Sequence, residues 1–135
     1  MDIKQLIRKV KSDPNLLVLK QEELARLESI CMLQGVAYDK QPSQPKPNSK
    51  EASYLTLIDA REKLEKFKEQ ILIDRRELTE LINRLTDPLM IEVMYMYCLE
   101  NVSIKAIAKR KNYSHQNIYH IYQKAITELE QIRTN

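Results

Sequence analysis

The sequence predicts an all-α chain: an N-terminal helical hairpin or coiled coil, then a C-terminal helix-turn-helix domain. Three observations carry this. One glycine, Gly35, occurs in 135 residues, and good helix formers abound. Leu57, Leu64, Ile71, Leu78 and Leu85 recur every seven residues. In the last third, Ser103 and Ser114 each stand where a helix would be capped, just after a turn containing asparagine. The expected divisions are 1–36, N-terminal helices; 37–50, a Pro-rich linker; 51–85, a long coiled-coil helix; and 86–135, the helix-turn-helix domain.

The first helix is expected over 3–11, with Asp2 as N-cap and Ile3, Leu6, Ile7 and Val10 on one face. Ser12-Asp13-Pro14-Asn15 should break the chain. A second helix is expected over 16–34, with Leu17, Leu24 and Cys31 spaced by seven and Gly35 ending it. The stretch AYDKQPSQPKPNSK, with three prolines, reads as a linker.

The third helix carries the coiled-coil seam: Leu57, Leu64, Ile71, Leu78 and Leu85, with Phe67 and Leu81 in the second row, which Asp74 interrupts. Its flanks are basic (Arg61, Lys63, Lys68, Arg75, Arg84), whereas the second helix carries Glu23 and Glu28. A parallel homodimer would oppose Lys63 to Lys68, so the charges favour an antiparallel intramolecular hairpin. The third helix outlasts that partner, so its end must pack on the C-terminal domain or on a second chain. A homodimer therefore stays open.

Asp87-Pro88 suits an N-cap followed by a first helical proline. A helix should run to about residue 99, with Asn101 turning the chain in the left-handed region. Ser103 should cap IKAIAKRK, Asn112-Tyr113 the next turn, and Ser114 the last helix. In that helix Ile118, Ile121, Ala125, Leu129 and Ile132 share one face. Gln116, His120, Gln123 and Thr127 lie opposite, flanked by Asn117, Lys124 and Tyr119, with His115 at the tip.

The net charge is only +3, but its distribution is informative. Between Val102 and Thr127 there is no acid, while Lys105, Lys109, Arg110, Lys111 and Lys124 all fall there. Such a surface suits a polyanion. His115, Gln116, Asn117, Tyr119, His120 and Gln123 are the expected readers of base edges in double-stranded DNA, because amides match adenine and imidazoles can donate to guanine. Lys105, Lys109, Arg110, Lys111, Ser114 and Lys124 are the expected phosphate contacts. A solvated basic helix packing only internally explains the charge, but not the run of hydrogen-bonding side chains.

The segment VMYMYCLENVSIKAIAKRKNYSHQNIYHIYQKAITEL resembles region 4 of housekeeping-type bacterial sigma factors. It is still more similar to the ArpU and RinA type of phage late-gene transcriptional regulators of Gram-positive bacteria. The matching features are Leu85 to Pro88, Ser103 with Ile107-Ala108, Tyr113-Ser114, Ile118, Ile121, and Lys124 to Ile126 with Leu129. The resemblance covers roughly the last 50 residues. It implies a transcriptional regulator, an activator of phage or mobile-element genes, with RNA polymerase as a further partner.

Other classes fare worse. One glycine excludes a P-loop, a dinucleotide fingerprint and a nucleophile elbow. His115 and His120, five apart, do not share a face as a metal pair would. No enzyme, cofactor or metal is expected. Cys31 and Cys98 read as isolated reduced thiols. No apolar run is long enough for a membrane, and the expected location is the cytoplasm of a bacterial host. Two rivals remain: a DNA-packaging recognition subunit, and a module that binds RNA polymerase without DNA.

Overall fold

The computed structural model describes the backbone of residues 1–39 and 47–134 and the side chains of 1–33 and 51–134. Among these residues all regular structure is helical: α1 (Ile3–Asp39), α2 (Pro47–Asn83), α3 (Pro88–Met94, continued by a π-helical turn, Tyr95–Leu99), α4 (Ile104–Lys111) and α5 (His115–Thr134). The middle of the Pro-rich linker, 40–46, lies outside the described residues.

Two expectations about α1 are corrected. Ser12 to Asn15 does not break the chain, and Gly35 does not end the helix: α1 is one 37-residue helix with Pro14 inside it. An interior proline loses one hydrogen bond and costs about 3 kcal/mol. Four aliphatic side chains before it, Ile3, Leu6, Ile7 and Val10, are buried. At about 1.5–3 kcal/mol each, their burial outweighs that cost. α1 and α2 are equally long, so α2 does not outlast its partner.

The chain divides into two compact units, and α1 and α2 each run through both. This differs from a division at residue 86. One unit joins Met1–Pro14 to 71–135; the other is Asn15–Gln70. In the latter, α1 and α2 run antiparallel. Cys31 donates to the Ser53 carbonyl at 3.5 Å, Glu28 pairs with Arg61 at 3.1 Å, and the Lys20 ammonium lies 4.8 Å from the Phe67 ring centroid. As one helix ascends the other descends, as the charge pattern requires. Leu57 and Leu64 are buried and Phe67 is half-buried.

In the larger unit a reciprocal capping box opens α1: Gln5 N–H donates to the Asp2 carboxylate at 2.8 Å, and Asp2 N–H donates to the Gln5 amide oxygen at 3.1 Å. Ile3, Leu6, Ile7 and Val10 share a core with the seam residues Leu78, Leu81 and Leu85, with Met94 and Cys98, and with Ala125, Ile126 and Leu129 of α5. Ile71 is half-buried. Asp74, which interrupts the heptads, is buried and 3.6 Å from the Lys9 ammonium of α1. The polar seam position is thus matched to a base.

A second cluster, Val93, Ile107, Ala108 and Ile118, ties α3, α4 and α5 together. The π-helical turn was not foreseen. In it Glu100 N–H donates to the Tyr95 carbonyl, five residues back, and Val102 N–H to Met96, six back. Carbonyls at a helix C-terminus need partners. Lys11 donates to the Tyr97 carbonyl at 2.6 Å, and Arg75 to that of Leu99 at 3.4 Å.

Candidate nucleic-acid interface

The candidate surface is built on the caps that start α4 and α5. Asp87 accepts from Leu89 N–H at 2.9 Å, Ser103 from Ala106 N–H at 3.1 Å, and Ser114 from Asn117 N–H at 3.1 Å. Among the described residues, Asn101 (φ 57°) and Asn112 (φ 60°) are the two with positive φ. After Asn112 the chain closes in a Schellman arrangement: Tyr113 N–H donates to the Ala108 carbonyl at 2.9 Å and Asn112 N–H to that of Lys109 at 3.4 Å. A three-residue turn therefore joins α4 to α5 without a glycine. Asparagine tolerates this conformation through local hydrogen bonding.

α5 buries Ile118, Ala125, Ile126 and Leu129 and half-buries Ile121 and Ile132. The opposite side faces water. His115, Gln116, Asn117, Tyr119, His120 and Gln123 are all exposed, and His115, Gln116, Tyr119 and His120 line one shallow hollow. Tyr119 rests near Tyr122, ring centroids 6.4 Å apart, and Tyr122 meets Tyr97 edge to face at 4.8 Å. Burial, reinforced by these neighbours, pushes the Tyr122 phenol far above its ordinary value. It packs as a neutral support beneath the exposed Tyr119.

A second hollow continues along α5 from His120, Gln123 and Lys124 to Thr86 and Met90 of the preceding turn and α3. Glu128 closes it, accepting from Thr86 N–H at 3.3 Å and from the Thr86 hydroxyl at 3.1 Å. The acid-free surface therefore ends one residue beyond Thr127.

The proposed phosphate contacts divide. Lys105, Lys109, Arg110 and Lys124 are exposed. Lys111 is half-buried and its ammonium pairs with the Glu92 carboxylate of α3. Its ammonium thus has a partner within the protein. The Ser114 hydroxyl, although exposed, is engaged as the α5 cap. Tyr113, not among the expected contacts, is also exposed (41%) in the turn beside α5.

Lys109, Arg110 and Lys111 occupy the last turn of α4, where cations favour the helix dipole. Their clustering thus has a local cause. Among the described residues no group of three His, Cys, Asp or Glu could hold a metal ion, and no helix is long and apolar enough to cross a membrane.

No curated protein and no solved structure matches the chain. A family model does match, over residues 39–130, which takes in the whole of α2, α3 and α4 and most of α5. That span is more than half of the chain, which therefore belongs to the family described as protein of unknown function (DUF1492).

Proposed function

We propose that this protein is a sequence-specific, double-stranded DNA-binding regulator of transcription. One observation carries the reading. The outward face of α5 is a continuous run of amides, imidazoles and a phenol, all exposed, on a capped helix that follows a short turn and a base-ended α4. Helices presented this way lie in the major groove, with their first turns against base edges. Gln116 and Asn117 suit adenine, and His115, His120 and Gln123 extend the readable surface. Lys105, Lys109, Arg110 and Lys124 meet the backbone, where each neutralised phosphate releases counterions. An acid on this face would be repelled by phosphate, which accounts for the absence of Asp and Glu from 102–127.

The likeness of the last 50 or so residues to sigma region 4 and to the ArpU and RinA type regulators supports the finer reading: an activator of phage or mobile-element genes, acting in the bacterial cytoplasm and touching RNA polymerase. The test is selection of bound duplexes from a random pool, followed by titration over a salt series. A convergent site is expected, with log affinity falling by about 0.9 per phosphate neutralised for each tenfold rise in salt. Failure to bind any duplex, with retained binding to polymerase, would replace this reading by that of a protein-interaction module.

A further inference from the structure

Within the unit Asn15–Gln70, α1 turns Leu17, Leu24, Leu27 and Cys31 toward α2, and all four are half-buried. A second row on α1 has no such cover. Leu16 (43% exposed), Leu19 (59%), Ile30 (50%) and Leu33 (75%) stand in water. Glu23 and Arg26 lie between them on the same row, 3.3 Å apart. The spacing along 16, 19, 23, 26, 30 and 33 alternates three and four, as in the seam of a coiled coil.

The row is also self-complementary when reversed. Laid antiparallel on a copy of itself about a point between residues 24 and 25, Leu16 meets Leu33, Leu19 meets Ile30, and Glu23 meets Arg26. Each aliphatic side chain finds an aliphatic one, and each charge its opposite. A parallel pairing would set Glu23 on Glu23 and Arg26 on Arg26. Two-fold interfaces demand this self-complementarity, with one patch serving both subunits. The Glu23–Arg26 pair within one helix is more than half exposed on both sides, so it contributes little and can re-pair across the axis.

We propose that a second copy of this chain covers the row, forming an antiparallel, two-fold α1–α1 coil over residues 16–33. This does not rest on the DNA-binding reading. Burying eight large aliphatic side chains in water-free layers supplies the driving force. The central ion pairs fix register and direction.

Sedimentation of the full chain at micromolar concentration tests the assembly. A dimer is expected, and Leu19→Lys with Ile30→Lys should give a folded monomer with unchanged helical circular dichroism. Cross-linking tests the direction, using single cysteines in a Cys31→Ser, Cys98→Ala background. Mixing Leu19→Cys with Ile30→Cys should give a disulfide-linked pair on oxidation. Leu19→Cys alone should not, because its two copies lie about 16 Å apart along the axis, from 1.5 Å per residue. A wild-type monomer at tens of micromolar, a dimer indifferent to the lysines, or self-linking of Leu19→Cys would each overturn the proposal.

Discussion

Lys111 and Lys109 are two residues apart, yet the fold gives them different work. Lys111 is held by Glu92, whereas Lys109 is exposed. If the proposed interface is right, Lys109→Ala should weaken specific and scrambled duplex alike and flatten the salt slope by about one unit. Lys111→Ala should do distinctly less, and Glu92→Gln should steepen the slope by freeing the ammonium. Titration over a salt series checks all three; equal effects of Lys109→Ala and Lys111→Ala would mean that the pair opens on DNA. Sequence marked every base in this run, but not which of them a carboxylate nineteen residues earlier would occupy. The cysteines offer an independent check at the same scale. Cys98 is buried, and burial pushes its thiol up to about 12, opposed by the Lys11 ammonium. The folded state thus favours the neutral thiol more than the unfolded state does. This contribution is fully present below the thiol's ordinary value of 9.0 and is lost as pH rises toward about 12. Counted with a thiol reagent at neutral pH, half-buried Cys31 should react first and Cys98 only on unfolding. Rapid labelling of both thiols in the folded chain would contradict this burial.

At the scale of elements, the caps and turns were readable because their signals are local. Asp2, Asp87, Ser103 and Ser114 each accept the backbone bond expected of them, and Asn101 and Asn112 adopt left-handed φ. Asn112→Ala should therefore cost about 1–2 kcal/mol in urea unfolding, and Asn112→Gly should be near neutral. Equal losses would mean that the asparagine side chain, not its backbone, holds the turn. The seam was readable too, since a seven-residue period survives any partner: Leu57, Leu64, Phe67, Ile71, Leu78, Leu81 and Leu85 are all buried or half-buried. The unbroken α1 was not readable. Pro14 is a strong local breaker, and what overrides it is burial of residues that meet their partners some 70 to 120 positions later. Pro14→Ala should accordingly raise stability by about 1–3 kcal/mol, less whatever the freer unfolded chain takes back. A fall in the urea midpoint would show that the proline sets a bend the core needs. The π-helical turn left no sequence signal either; Lys11 and Arg75, which serve its carbonyls, come from other helices.

For the whole molecule, the decisive fact is that the first turns of α1 and the end of α2 belong to the same core as the helix-turn-helix. A fragment starting at Thr86 would lose Ile3, Leu6, Ile7, Val10, Leu78, Leu81, Ile82 and Leu85 from that core. It should be largely unfolded by circular dichroism, and Leu78→Ala in the full chain should cost about 2–5 kcal/mol. A well-folded fragment would restore a division at residue 86. If α1 also pairs about a two-fold axis, the selected DNA site should be an inverted repeat, because operator symmetry mirrors protein symmetry. The proposed function requires that the outward face of α5 read bases. Gln116→Ala tests it most directly, titrated with the full chain on the selected duplex and on a scrambled one. A loss of about 1–3 kcal/mol on the selected duplex, with scrambled binding unchanged, is expected. Equal weakening on both duplexes, or none on either, would contradict it.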